Sequence, residues 1–209
     1  MAQIIRAANP ADADAIAGLN RAAFGGEDEV GIIERLRSDG LVAIELVAEQ
    51  GGAVSGHILL SWLPTTMDGR TVKALALAPM AIRPGVQKQG IGGRLIMAAL
   101  DEARVAGAEA VIVLGHPDYY PRFGFSAALA GNLASPFSGE AFMALELVPG
   151  ALAGRQGSVS YPPRIRAVAA KGDPRTMRSQ WFLTGWANAW AVLFKTGIRC
   201  IYMVFNRIY

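Results

Sequence analysis

The chain has 209 residues, 52% of them apolar, enough for one ordinary domain with a substantial core and an appendage. A single cysteine, Cys200, excludes an intramolecular disulfide framework, and two histidines leave too few ligands for a Cys/His metal site, so no metal is expected. The net charge of +3 is unevenly spread: residues 168–209 hold Lys171, Arg175, Arg178, Lys195, Arg199 and Arg207 against Asp173, a balance of +5 that leaves −2 for residues 1–167.

The basic character therefore belongs to the tail, and charge gives no nucleic-acid reading of the main domain. The opening MAQIIRAANP lacks the apolar run of a secretory signal, so a reducing cytoplasm is the expected compartment.

In chain order, Ile4–Arg6 reads as a first strand. Asn9-Pro10-Ala11-Asp12 is a helix entry, with Asn9 as cap and Pro10 at the first helical position. Ile16, Leu19, Asn20 and Ala23 follow at helical spacing, and Gly25-Gly26 closes the element. A second helix is predicted over Asp28–Arg37, stopped by Gly40. Leu41–Gln50 and Val54–Leu63 read as strands joined by a Gly51-Gly52 hairpin turn, and Met67-Asp68-Gly69-Arg70 as another turn. Thr71–Ile82 is long and apolar enough for a central strand ending at Arg83-Pro84. Ile91–Ala106 places Leu95, Ile96, Ala99 and Ala103 on one helical face, with Gly107 as its C-cap. Ala110–Leu114 reads as a buried strand. His116-Pro117-Asp118 opens a brief helix through Tyr120 to Phe123, and Met143–Val148 is a late strand. The order β-α-α-β-β-β-α-β-α-β predicts one mixed α/β domain over 1–167, without internal repeats.

The segment 80-MAIRPGVQKQGIGGRLI-96 carries the chemistry. Gly85 and Gly90 have P-loop spacing, but Ile91-Gly92 stands where Lys-Ser/Thr is required. Gly90-Ile91-Gly92 begins a dinucleotide fingerprint, but Leu95 occupies the place of its third glycine. What remains is Gln87-Lys88-Gln89-Gly90-Ile91-Gly92 between an apolar strand and an apolar-faced helix. Small residues admit a phosphate to the backbone, and the unpaired N–H groups of the next helix point at it. Gly93 lies in the same turn, and Lys88 and Arg94 add positive charge.

This Q-x-x-G-x-G loop resembles the pyrophosphate-binding loop of the GNAT superfamily, the acetyl-CoA-dependent N-acyltransferases. Met80-Ala81-Ile82-Arg83-Pro84 resembles the end of that family's fourth strand. The stretch 111-VIVLGHPDYYPRFGF-125 is similar to the fifth strand and following helix of a branch marked by Tyr-Tyr-x-Arg-Phe-Gly-Phe, and 142-FMALELVPGALAG-154 with Gly157–Tyr161 to its last strands. The resemblance spans about residues 3–166. It implies the GNAT fold: a mixed, mostly antiparallel sheet splayed between strands 4 and 5 and flanked by helices.

The resemblance further implies acetyl-CoA as co-substrate and a small-molecule or peptide amine as acceptor. Backbone groups of Met80, Ala81 and Ile82 would pair with the pantetheine arm and polarise the thioester carbonyl. Gln87, Lys88, Gln89, Gly90, Ile91, Gly92, Gly93 and Arg94 would form the pyrophosphate site. The amine attacks directly in a ternary complex, and Tyr120 matches the family's general acid for the departing thiolate. Many members carry a Glu on the fourth strand as base, whereas Leu75–Ile82 contains no acid. His116 at the end of the fifth strand is the leading candidate, ahead of Glu146 and His57, with helix capping as its alternative role. Arg122 is expected to pair locally or approach the CoA phosphates. The loops Phe24–Glu29 and Leu63–Gly69 are expected to shape the acceptor site. Two rival readings stay open: an acyl-CoA sensor without turnover, and a membrane-surface acyltransferase for a lipid-like acceptor.

Residues 168–209 fall outside the resemblance. Phe182, Trp186, Trp190 and Phe194 recur every four residues, and Ile198 and Tyr202 extend the series. Ser179–Phe194 is uncharged over 16 residues, shorter than the ~20 a spanning helix needs. A basic, aromatic helix lying on a membrane, a helix docked on the domain or on a second subunit, and an unstructured extension compete here.

Overall fold

The computed structural model describes residues 3–137 and 139–161; the expected domain end near 167 and the tail, with its membrane and dimer readings, lie outside these residues. Eight strands form one sheet: β1 (Gln3–Ala7), β2 (Val42–Gln50), β3 (Ala53–Met67), β4 (Arg70–Ile82), β5 (Ala110–Leu114), β6 (Leu133–Ala134), β7 (Phe142–Glu146) and β8 (Gly157–Val159). The order is β1-β2-β3-β4-β5-β7, with β8 on the far end of β3 and β6 beside β8. Neighbours on the main path are antiparallel except β4 and β5, which run parallel. Helices α1 (Ala13–Phe24) and α2 (Asp28–Ser38) precede β2, α3 (Ile91–Val105) joins β4 to β5, and the single turn α4 (Ala127–Ala130) follows β5. The mixed α/β class and the expected splay between the fourth and fifth strands are both present.

Local chemistry explains the frame. Both hairpins turn on residue pairs with positive φ, Gly51-Gly52 (60° and 77°) and Asp68-Gly69 (47° and 80°), the twist that suits two-residue connections. Asn9 caps the entry to α1 through its side chain, with Pro10 behind it as expected. Leu63–Gly69 is strand and hairpin turn rather than a loop: β3 continues to Met67, because β2 stops opposite Ser61 and β8 takes the vacated edge at Thr65–Met67. Pro64 ends the alternation read from sequence without ending the strand.

β4 contains a β-bulge. Leu60 faces Leu77 and Ile58 faces Met80, so Leu59 stands opposite both Ala78 and Pro79. Pro79 has no N–H to donate, and a bulge is where a strand interior tolerates it. The extra residue changes the phase. Leu75 and Leu77, then Met80 and Ile82, face the α3 side, while Ala74 and Ala76, then Ala81, face the other.

On the first side α3 buries Ile91, Leu95, Ile96, Ala99, Leu100 and Ala103 against β2–β5. Gly92 and Gly93 weaken a helix by about 1 kcal/mol each relative to alanine. Fully burying one side chain such as Leu95 returns about 1.5–3 kcal/mol, so packing rather than propensity holds this helix. On the opposite side α1 and α2 cover Val47, Leu59 and Ala81 with Ile16, Leu19, Phe24, Ile33 and Leu36.

Beneath α1 and α2 runs a polar chain, Asn20–His57–Glu45–Arg37. Asn20 Nδ2 donates to the Ile16 carbonyl at 2.8 Å, which fixes the amide, and lies 3.3 Å from His57 Nδ1. His57 Nδ1 therefore accepts, and Nε2 donates to Glu45 Oε1 at 2.9 Å, giving a neutral ring. Arg37 forks onto Glu45 at 2.6 and 3.1 Å. Burial lowers the His57 pKa more than Glu45 raises it. Burial would raise the Glu45 carboxyl, but the bonds from His57 and Arg37 together hold it below its usual range.

The unfolded chain therefore protonates His57 near pH ~6.5, whereas the folded chain resists until lower pH, so stability falls as pH drops below about 6.5. The lowered Glu45 value acts in the same direction at more acid pH. Urea unfolding between about pH 7.5 and 5.5 should show stability falling, by up to ~1.4 kcal/mol per pH unit from His57. The slope should flatten in His57→Gln; parallel slopes for the two proteins would refute this.

Candidate active site

The parallel pairing of β4 with β5 is confined to Ala74–Ala76 against Ala110–Ile112. Beyond it β5 pairs only with β7, while β4 runs on to Ile82 beside β3. Among the described residues, the β5-facing edge of Leu77–Ile82 is thus left without a strand partner. The bulge at Ala78-Pro79 begins where pairing stops, as expected of a device that bends a strand and raises its twist. Met80, Ala81 and Ile82 lie along this edge, with their side chains in the core. Backbone and side chain there have separate tasks.

The loop after β4 is tied down at its start. Arg83 N donates to the Ser55 carbonyl at 2.9 Å, and Gln87 Nε2 donates to the Ile82 carbonyl at 3.1 Å. The Gln87 side chain is thereby used as a clip on the end of β4. Lys88, Gln89 and Gly90 are exposed. Gly90 takes φ +75° as the residue before α3 and supplies no side-chain cap, a conformation that glycine adopts without steric cost. Within the described residues, the first N–H of α3 with an intramolecular acceptor is that of Arg94, bonded to the Gly90 carbonyl at 3.1 Å. The amides of Ile91, Gly92 and Gly93 precede it at the positive end of the helix dipole. Residues 80–94 contain no acid. Arg94 is exposed and donates through Nε to Gln3 Oε1 at 2.7 Å, so β1 holds this cation beside the loop.

After β5, Gly115 N donates to the Ala141 carbonyl at 2.9 Å, and a 3-10 turn covers Tyr120–Phe123 in place of the expected brief helix. Tyr120 is 3% exposed, with its ring edge-on to Phe125 and Tyr119 at centroid distances of 5.6 and 5.3 Å. His116 Nδ1 accepts the Asp118 N–H at 3.1 Å and lies 3.5 Å from Asp118 Oδ2. The ring thus ties down the turn ahead of the 3-10 segment, whose own N-cap, Tyr119, makes no side-chain cap bond. Arg122 pairs locally, with Nε on the Tyr119 carbonyl at 3.0 Å and its guanidinium 4.4 Å from the Tyr119 ring centre. The weaker base candidates have structural tasks: His57 is sealed in its polar chain, and Glu146 accepts the N–H groups of Gly150 and Leu152 at 2.9 and 2.7 Å.

Sequence reasoning missed two parts of this site. The first is Tyr119, whose hydroxyl reaches the first turn of α3 beside Gly92. Gly115 is the space into which Tyr120 packs, since a Cβ there would lie 2.1 Å from Tyr120 Cε2 and 2.5 Å from Cδ2. A glycine five residues before a buried tyrosine was the available signal. Gly115→Ala should lower stability in urea by about 1–3 kcal/mol, the cost of overpacking. An alanine protein as stable as the parent would show that Gly115 does not hold that ring.

A family model described as an acetyltransferase (GNAT) domain matches residues 4–128. The curated protein "Uncharacterized N-acetyltransferase YhbS" of Escherichia coli strain K12 is 34% identical over 161 residues, 76% of this chain and 95% of that protein. A crystal structure of the GNAT family N-acetyltransferase YhbS from Escherichia coli in complex with CoA is similar at a TM-score of 0.71 and 32% identity. It covers 78% of this chain and 92% of that one. A GNAT family acetyltransferase from Brucella melitensis in complex with acetyl-CoA gives a TM-score of 0.65 and 33% identity, over 78% and 98%. With its splayed β4 and β5, its uncapped α3 and these relatives, the chain belongs to the GNAT acetyltransferase family.

Proposed function

We propose that the protein transfers the acetyl group of acetyl-CoA to a primary amine by direct attack within a ternary complex. One observation carries the reading: the bare edge of β4 is followed, across the loop of residues 83–90, by the uncapped first turn of α3. A thioester on a long arm ending in a pyrophosphate matches that sequence of groups. The amides of Ile91, Gly92 and Gly93 receive the pyrophosphate oxygens, helped by Lys88 and Arg94. The edge of Met80–Ile82 pairs with the amide-containing arm as an added strand, and an N–H there polarises the thioester carbonyl. The two similar structures that hold CoA and acetyl-CoA support this choice of ligand.

In the reaction the amine nitrogen forms a bond to the carbonyl carbon, the C–S bond breaks, and the thiolate takes a proton from Tyr120 Oη. The proton lost by the amine goes to His116. Its Nδ1 is unprotonated while it accepts from Asp118 N, and on protonation it exchanges that bond for an ion pair with the Asp118 carboxylate 3.5 Å away. The α1–α2 loop after Phe24, which packs on Ala81, is the acceptor side of the cleft.

Calorimetry with CoA, and thiol release from acetyl-CoA over a panel of small amines, test this directly. The protein should bind CoA, Gly92→Glu should abolish binding, and at least one amine should drive release. Tyr120→Phe should lower turnover by about 100-fold or more, the usual contribution of a general acid, with CoA affinity nearly intact. Undiminished affinity in Gly92→Glu would remove the phosphate site; unchanged turnover in Tyr120→Phe would remove the acid. Tight CoA binding without turnover of any amine would favour an acyl-CoA sensor.

A further inference from the structure

We propose that Tyr119 is a positioning residue that couples the first turn of α3 to Tyr120 across the mouth of the splay. The inference rests on the functional reading above, in which α3 holds the pyrophosphate and Tyr120 is the acid. Tyr119 stands on the β5 side of the cleft and is 6% exposed. Its hydroxyl crosses to the β4 side: a Cβ added to Gly92 would lie 2.9 Å from Tyr119 Oη, 3.7 Å from Met80 Cε and 3.8 Å from Ile82 Cγ1. One point therefore gathers the helix turn, two side chains of the splayed strand and this phenol.

The ring has little freedom to retreat. Its edge meets Tyr120 at 5.3 Å and 86°, and Phe123 at 5.4 Å and 64°. The Arg122 guanidinium covers the ring at 4.4 Å and anchors the Tyr119 carbonyl. Phe123 in turn lies 3.5 Å from where a Cβ of Gly93 would stand. A displacement of Gly92 toward the sheet therefore pushes Tyr119 against Tyr120, whose ring is itself packed into the space at Gly115. Through this row of rings, the seating of the anion sets the orientation of the proton donor.

A cycle of Gly92→Ala, Tyr119→Phe and the double variant tests the contact. The alanine methyl collides with an oxygen that phenylalanine lacks. Gly92→Ala should weaken CoA binding by calorimetry about 10-fold or more and lower the melting temperature, while the double variant returns to within about 3-fold of Tyr119→Phe. Additive losses in both affinity and melting temperature would overturn the proposal. Transmission to Tyr120 is read by Tyr119→Leu, which should lower thiol-release turnover by up to about 100-fold with CoA affinity changed less than about 3-fold. In a Tyr120→Phe background the same change should cost less than about 3-fold more, because the two act as a unit. A full second loss in that background would show that Tyr119 does not act through Tyr120. A parent protein that fails to bind CoA sinks the functional reading itself, whereas binding with an additive cycle sinks only this inference.

Discussion

Main-chain N–H and C=O groups inside a protein need partners, and among the described residues β4 leaves those of one edge without a strand beyond Ala76. The rest of the site follows from that constraint. The bulge at Ala78-Pro79 turns β4 away just where pairing with β5 ends, and it keeps Met80 and Ile82 on the α3 side of the core after the extra residue. A straight strand in the original phase would have put Ala81 among the large side chains under α3. The same residue that opens the cleft also keeps its wall packed.

Space at three glycines then brings the remaining pieces together. Gly90 turns the chain into α3 without a capping side chain, Gly92 makes room for the Tyr119 hydroxyl, and Gly115 makes room for the Tyr120 ring. Two of them cost helix or strand propensity nothing that burial around them does not offset: Leu95, Ile96 and Phe125 are almost wholly inaccessible. The field at the cleft is one-sided. Lys88 and Arg94 stand at the helix start with no acid between residues 80 and 94, so the electrostatics favour an anion there.

Much of this was legible in the sequence because it rests on local chemistry. Gly51-Gly52 and Asp68-Gly69 specify two-residue turns, Asn9-Pro10 specifies a helix start, and Gln87 to Gly92 specifies a strand-to-helix corner with bare amides. What escaped depends on pairing at a distance. The extension of β3 through Pro64 to Met67 exists because β8 arrives from residues 157–159. The short β6 and α4 have too few residues for any period to show. The reach of Tyr119 across the cleft depends on the 3-10 turn that begins at Tyr120, which no periodicity shows. For His116 the sequence offered both a base and a helix cap, whereas its ring accepts the Asp118 N–H inside the turn and leaves the start of the 3-10 segment without a side-chain cap.

The bond from Gln87 to the Ile82 carbonyl has a metric meaning. It fastens the last residue of the strand to the corner that begins the helix, so the span between them is set by the protein and not by whatever lies in the cleft. Under the acetyl-CoA reading proposed above, a thioester on a truncated arm would satisfy the strand or the helix, but not both, and length would become a criterion of the donor.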